Sequence, residues 1–215
     1  MATSKHLDIL GSLFGSTTRV KLLKFFLLNA NEGFSVDDIA SRLRVKPVMV
    51  RPELKLLEKC GFIKSKVVTK MVVGKTKTTR KKSNGYIANK DFALLEPLRN
   101  LLVDSGGMQI PDISARFNGA GKITLFVTSG IFMHDSDRMM DLMIVGDRLD
   151  KKMIDIEVKK IESEIGKELR YAVFDTEEFL YRLKMYDKLI RDLLDYPHTK
   201  VINKLSHPEL VRGFA

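Results

Sequence analysis

The stretch SVDDIASRLRVKPVMVRPELKLLEKCGFI, residues 35–63, decides the fold of the first half of the chain. Its apolar residues recur every three or four positions, which predicts two short amphipathic helices separated by a break at Val45–Lys46. Ser35 is suited to cap the first helix. Pro47 is suited to the first turn of the second, which would end near Gly61.

Pro52 lies inside the predicted second helix and leaves two interpretations open. A proline has no backbone N–H for the helix interior, so Pro52 would kink a helix that begins at Pro47. Alternatively, the helix begins near Pro52 and Pro47 belongs to the preceding turn. The choice decides which side chains face outward.

Segments on either side of this stretch complete a small α+β module. Residues 17–29 have the apolar periodicity of a preceding helix. Residues 62–73 are rich in β-branched side chains and predict a strand, and the Asn84–Gly85 dipeptide predicts a tight turn before a returning strand at Tyr86–Ala88. Residues 91–103 return to helical periodicity and are a candidate dimer element.

The excess of basic charge also lies in this first half. The chain has 215 residues, 37 Lys and Arg, and a formal net charge of +10. Residues 1–110 hold 20 basic and nine acidic side chains, whereas residues 111–215 hold 17 and 18. Residues 63–90 hold nine basic side chains and no acidic one. Charge confined to one module predicts a polyanionic partner for that module.

Short helices followed by a β-hairpin are the element order of a winged helix-turn-helix, and the sequence resembles that family. Ser35–Ala40 is similar to its second helix, and Glu53–Ile63 is similar to the end of its recognition helix, most closely in arsenic-repressor-like regulators. The resemblance covers residues 10–103 and implies a homodimer that binds double-stranded DNA. The residues expected at the DNA are Lys46, Val48, Met49, Arg51 and Lys55 on the helix, and Lys75, Lys77, Arg80, Lys81 and Lys82 on the wing.

Residues 75–84, KTKTTRKKSN, are predicted to form the exposed tip of this wing. They would lie along the phosphate backbone or in the minor groove. One alternative is a solvated loop with no partner. RNA is a weaker alternative, because RNA-binding surfaces expose aromatic stacking residues and only Tyr86 lies near the basic stretch.

The second half predicts a small α/β module in the order β, β, α, β, α. The final helix of this order would run from about residue 175 to 194. Leu125–Gly130 and Asp141–Gly146 resemble the nucleotidyltransferase fold of minimal nucleotidyltransferases. In that family a Gly-Ser turn holds the triphosphate. Two carboxylates alternate on the next strand and bind two divalent metals.

The positions that would carry catalysis depart from the family's pattern. Asp141 takes the second carboxylate position, but the first falls on Met139, which is no ligand for a hard cation. We therefore predict a degenerate, inactive domain without catalytic or metal-binding residues, which senses a ligand or mediates assembly. A vestigial site for a nucleotide effector would consist of Thr128, Ser129, Gly130 and Asp141.

Together these patterns predict a transcriptional regulator with a winged helix-turn-helix domain at 1–104, a hinge at 105–112 and a nucleotidyltransferase-like domain at 113–215. Two alternatives remain open. The first is an active metal-dependent nucleotidyltransferase whose winged helix captures nucleic acid, with metal held by Asp135, Asp137 and Asp141. The second is a protein-interaction adaptor.

Composition excludes several other classes. No apolar run approaches the roughly 18 residues that span a bilayer, and the first eight residues lack the pattern of a signal peptide. The single cysteine, Cys60, precludes an internal disulfide, and with only four histidines the chain lacks the usual ligands of a structural zinc site. We expect a cytoplasmic, prokaryotic protein with no cofactor and no membrane contact. Cys60 is expected to be a small buried residue, with a redox-sensing thiol as the alternative.

Overall fold

The computed structural model shows a mixed α/β chain that contacts divide into two compact units. The described residues are 9–73, 78–104, 110–133, 135 and 137–205, with only the backbone described at 70–73, 78–81, 104 and 110–112. The first unit comprises residues within 4–106 and 161–167, and the second those within 107–160 and 168–215.

The helices of the first unit follow the apolar periodicity of the sequence. They are α1 (residues 9–14), α2 (Thr17–Leu28), α3 (Val36–Leu43), α4 (Pro47–Lys59) and α5 (Leu95–Arg99), which continues as a π-helical turn, Asn100–Asp104. The Ser35 hydroxyl caps α3 by accepting a hydrogen bond from the Asp38 N–H at 3.2 Å. α4 begins at Pro47 and passes through Pro52, so the helix start given by the first of the two interpretations is confirmed.

Apolar residues on one face of each helix form the core of the first unit. The buried side chains of α4 are Val50, Leu54 and Leu57, at three- and four-residue spacing. They pack with the buried residues of α2 and α3, which are Val20, Leu22, Leu23, Phe25, Phe26, Leu27, Ile39, Ala40 and Leu43. The opposite face of α4 is left at the surface.

A three-stranded antiparallel sheet in the order β1-β3-β2 completes the first unit. Its strands are β1 (Phe34–Ser35), β2 (Ile63–Val73) and β3 (Thr78–Ala88). The predicted turn at Asn84–Gly85 is wrong, and so is the predicted loop over residues 75–84, because residues 78–84 belong to β3. Residues 74–77, which join the two long strands, lie outside the described residues.

The contacts of Gly85 explain why the Asn84–Gly85 dipeptide lies within β3. It pairs with Lys66 of β2 on one side and with Ser35 of β1 on the other. A Cβ atom at this position would collide with the Phe34 carbonyl and the Val68 side chain. Glycine is therefore required here for close approach of β1, not for a turn.

The second unit contains a four-stranded sheet in the order β6-β5-β4-β7. Its strands are β4 (Lys122–Thr128), β5 (Leu142–Asp147), β6 (Tyr171–Asp175) and β7 (Thr199–Asn203). β5 and β6 are parallel and are connected through α7 (Lys151–Ile165), whereas β4 pairs antiparallel with both neighbours. β4 and β5 are almost wholly buried, in keeping with their continuous apolar sequence.

The remaining helical segments of this unit are α6 (Ile110–Ala115), a 3₁₀ turn at Gly130–Met133, α8 (Thr176–Lys184) and α9 (Lys188–Asp195). The prediction of a single helix over residues 175–194 is wrong, because the helix is interrupted between α8 and α9. Tyr186 has a left-handed φ of 54°, and the Asp187 carboxylate caps α9 by accepting from the Leu189 N–H at 2.9 Å. In the described part of the chain, no helix has both the length and the apolarity needed to cross a bilayer.

Candidate functional site

A short turn sets the direction of α4 relative to α3. Arg44 ends α3 in a left-handed conformation with a φ of 51°, and the Val45 N–H donates to the Ala40 carbonyl at 3.0 Å. α4 then begins at Pro47, whose missing N–H costs nothing in the first helical turn. The two helices are thus joined by the three residues 44–46.

An ion pair joins α4 to α2. The Arg19 Nε atom of α2 donates to Glu53 Oε2 at 2.8 Å, and Arg19 Nη1 donates to the Phe14 carbonyl at 2.7 Å. The side chains of Arg19 and Glu53 are 26% and 15% exposed. The pair fixes the rotation of α4 and removes the Glu53 carboxylate from its outward surface.

All five helix residues predicted to meet DNA lie at the surface. They are Lys46, Val48, Met49, Arg51 and Lys55, to which the structure adds the exposed Pro52 and Lys59. Val48 is 71% exposed and Met49 is 53% exposed, although both are apolar. Positions 48, 51, 52, 55 and 59 share one side of the helix, opposite Val50, Leu54 and Leu57. We give the name outer face of α4 to the exposed residues Lys46, Val48, Met49, Arg51, Pro52, Lys55 and Lys59.

The predicted wing residues fall on β3 or outside the described chain. Lys82 is exposed, whereas Lys75 and Lys77 lie outside the described residues. Arg80 and Lys81, described by backbone only, pair with Met71 and Lys70 of β2, and Lys82 pairs with Thr69.

This register puts Lys70 directly opposite Lys81. Residues 63–90 contain nine basic side chains and no acidic one. A segment of this composition favours a polyanionic partner.

Two of the four residues predicted as a nucleotide site, Ser129 and Asp141, are joined by a hydrogen bond at the junction of β4 and β5, and Gly130 packs against Asp141. The Ser129 N–H donates to the Asp141 carbonyl at 2.9 Å, and the Ser129 hydroxyl donates to the Pro197 carbonyl at 3.1 Å. Gly130 has a φ of 55°, and a Cβ there would crowd the Asp141 carboxylate and the Met140 carbonyl. Ser129, Gly130 and Asp141 are thus tightly packed where the chain leaves β4 and enters β5.

The carboxylate of Asp141 is buried and fully occupied by donors. It is 2% exposed. Its Oδ1 accepts from the Ile131 N–H at 3.0 Å and from Arg170 Nη2 at 3.5 Å, and its Oδ2 accepts from the Arg170 N–H at 2.9 Å and from Arg170 Nε at 3.3 Å. The Asp141 N–H in turn donates to the Arg170 carbonyl at 2.7 Å. A metal ligand needs bare oxygen lone pairs, and these are already used.

Thr128 differs from its neighbours because its hydroxyl is unsatisfied. Within the described residues, Thr128 Oγ1 is fully buried and has no hydrogen-bond partner. Since the side chain is fully buried, it is not accessible to a ligand in this structure. The four predicted residues are therefore together in space, but they present no open binding surface.

The enzyme alternative also requires the Asp135 carboxylate, which already accepts two hydrogen bonds from its own loop. Asp135 Oδ1 accepts from the Asp137 N–H at 3.2 Å, and Asp135 Oδ2 accepts from Arg138 Nε at 2.6 Å. The hydrogen bond from Arg138 lowers the pKa of the Asp135 carboxyl. Across the residues that the structure describes, no group of three His, Cys, Asp or Glu side chains is placed to hold a metal ion.

Two features of these sites escape sequence reasoning. The Arg19–Glu53 and Asp141–Arg170 pairs join residues 34 and 29 positions apart, so no local pattern signals them. The predicted burial of Cys60 is wrong, because this residue follows the last turn of α4 and is exposed.

No known protein family, curated protein or solved structure was found to match this chain. Function must therefore be inferred from the outer face of α4, the charge of the β2–β3 hairpin and the packing around Asp141.

Proposed function

We propose that the chain is a cytoplasmic DNA-binding transcriptional regulator of the winged helix-turn-helix type. In this proposal α3 and α4 form the helix-turn-helix, α4 is the recognition helix, and the β2–β3 hairpin is the wing. The observation that carries it is the outer face of α4, which is exposed and basic while the Arg19–Glu53 pair and the core hold the opposite face.

The dimensions and charges of α4 suit the major groove. The helix has 13 residues and is about 20 Å long, and a groove about 12 Å wide admits an α-helix. Lys46, Lys55 and Lys59 are exposed and can neutralise phosphates on either side of the groove. Arg51, near the start of the helix, is placed to reach base edges.

The hairpin would add sequence-independent affinity. Residues 63–90, which include both long strands, hold nine basic side chains and no acidic one. Each lysine that neutralises a phosphate releases condensed counterions, so binding weakens as salt rises.

Replacing Lys81 and Lys82 with glutamine is expected to flatten the salt dependence of DNA affinity. The slope of log affinity against log salt should fall by about two, roughly one for each lost phosphate contact. Fluorescence anisotropy with a labelled duplex of mixed sequence, titrated at several salt concentrations, measures the slope.

The matched control replaces Lys151 and Lys152, two adjacent exposed lysines of the second unit, with glutamine. This variant has the same net charge as the first and should keep the wild-type slope. Equal slopes for both variants would show that the wing does not contact DNA. Absence of DNA binding by the wild-type protein at low salt would overturn the proposed function.

The regulator is proposed to act as a homodimer through the segment around α5. Leu94 and Leu101 are 56% and 46% exposed, although both are large and apolar. They flank α5, Leu94 at its N-cap and Leu101 in the π-helical turn that follows it. A two-fold pair of such segments would bury these side chains and present two α4 helices to one site.

Replacing both Leu94 and Leu101 with glutamate is expected to convert a dimer into a monomer of 24.5 kDa. Size-exclusion chromatography with light scattering measures the mass. Ile156→Glu, a change at an exposed apolar residue of α7, is the control and should leave the dimer intact. A monomeric wild-type protein at micromolar concentration would contradict the dimer proposal.

The second unit is proposed to be a nucleotidyltransferase-like domain that has become structural and serves sensing or assembly. The saturated carboxylate of Asp141 supports this role over catalysis. Two-metal chemistry depends on carboxylates that are free to bind metal, whatever the fold that carries them.

A further inference from the structure

The first two turns of α4 expose an unusual set of side chains for a surface helix. The exposed residues among positions 47–52 are Pro47, Val48, Met49, Arg51 and Pro52. Four of these five carry no strong hydrogen-bonding group. If the proposed function holds, these are the residues nearest the base edges, because recognition helices meet bases with their N-terminal part.

The helix also lacks the residues that recognise adenine and cytosine by hydrogen bonds. Paired hydrogen bonds to adenine need Asn or Gln, and α4 contains neither. Cytosine recognition needs a free carboxylate. Glu53 is bound to Arg19, and Glu58 accepts a hydrogen bond from the Ser65 hydroxyl. The polar groups left for base edges are therefore the cations Arg51 and Lys55.

Each base has a distinct chemistry in the major groove, and the outer face of α4 matches two of them. Guanine offers two acceptors that suit an arginine fork, and thymine offers a C5-methyl group that suits an apolar side chain. Val48 and Met49 are adjacent on the helix, so they point about 100° apart and can contact methyl groups on neighbouring base steps. Burying them against methyl groups would also remove their large exposed area from water.

We propose that α4 selects its DNA site through thymine methyl groups, contacted by Val48 and Met49, beside a guanine bound by Arg51. This inference rests on the proposed function and specifies the DNA sequence that the same surface recognises. Adenine would be recognised only through the thymine with which it pairs.

The test begins with selection of bound duplexes from a random library by the full-length protein. The enriched site is then synthesised with thymine and, separately, with deoxyuridine in its place, which removes only the methyl groups. Affinity should fall by about fourfold for each contacted methyl, the effect of one buried methylene-sized group. The slope of affinity against salt should be unchanged, because no phosphate contact is lost.

The variant Val48→Ala/Met49→Ala separates a direct methyl contact from a change in DNA shape. It should bind the thymine and deoxyuridine duplexes equally, and it should bind the deoxyuridine duplex about as well as the wild type does. Leu56→Ala is the matched control, since Leu56 is exposed on α4 but beyond its base-facing turns. This control should keep the full preference for thymine.

The outcomes distinguish the two proposals. Salt-dependent binding with no enriched site, or with equal affinity for the two duplexes, would overturn thymine recognition and leave DNA binding standing. A preference for thymine that persists in Val48→Ala/Met49→Ala would also overturn it. Absence of binding to any duplex would overturn the proposed function itself.

Discussion

Replacing Asp141 with alanine is expected to lower the free energy of unfolding of the second unit by about 3 kcal/mol. The change leaves the part-buried Ile131 and Arg170 N–H groups without this acceptor, and each such loss costs about 1–3 kcal/mol. It also removes one partner of the Arg170 guanidinium, but that side chain is 44% exposed and water can replace part of the lost contact. The penalty therefore comes mainly from the backbone donors.

Urea unfolding followed by tyrosine fluorescence suits this measurement. The chain has no tryptophan, and four of its five tyrosines belong to the second unit, so the signal reports mainly on that unit. Asp137→Ala is the matched control, because the Asp137 side chain is exposed. Its unfolding free energy should stay within about 0.5 kcal/mol of the wild-type value.

Comparison of the wild-type protein with Asp141→Ala decides between a structural and a catalytic role for Asp141. If Asp141 is structural, Mg²⁺ or Mn²⁺ should not stabilise the wild-type protein, and labelled nucleotides should not be transferred to nucleic acid or protein. Stabilisation by metal that disappears in Asp141→Ala, or nucleotide transfer by the wild-type protein, would restore the enzyme alternative.

Replacing Gly85 with valine is expected to destabilise the first unit by about 3 kcal/mol, the upper end of the usual cost of overpacking. Strand propensity alone predicts the opposite sign, because valine favours strands and glycine weakens them. The loss arises because the new Cβ would collide with the Phe34 carbonyl, which is backbone and cannot rotate away. β1 would have to separate from β3.

Asn84→Val is the control for this change, since Asn84 is the adjacent residue of β3 and is exposed. Its unfolding free energy should change by no more than about 0.5 kcal/mol. Urea unfolding followed by far-ultraviolet circular dichroism measures both variants. Equal stability of Gly85→Val and the wild type would show that β1 does not approach β3 as closely as described.

The elements that sequence reasoning predicts well are those specified by nearby residues. α3 and α4 follow from apolar spacing, from the cap at Ser35 and from Pro47 at a helix start. The outer face of α4 follows for the same reason, because burial of Val50 and Leu54 determines which positions remain outside. This is why the helix residues of the candidate interface could be named in advance.

The predictions that fail are those in which distant residues decide the local structure. Asn84–Gly85 has the composition of a tight turn, but pairing with β1 on one side and β2 on the other places it within β3. The partners of the Asp141 carboxylate, Arg170 and Ile131, are likewise set by the tertiary fold and carry no local sequence signal. In contrast, the break before α9 has a local signal, the capping residue Asp187, which continuing apolar periodicity obscures.

The exposure of Cys60 provides a native site for chemical labelling. It is the chain's one cysteine, so a thiol-reactive fluorophore would attach at a single position without any mutation. It follows the last residue of α4, about 12–20 Å along the helix from the turns that would face the bases. A dye at this position would leave the base-contacting side chains unmodified while remaining close enough to sense a bound duplex.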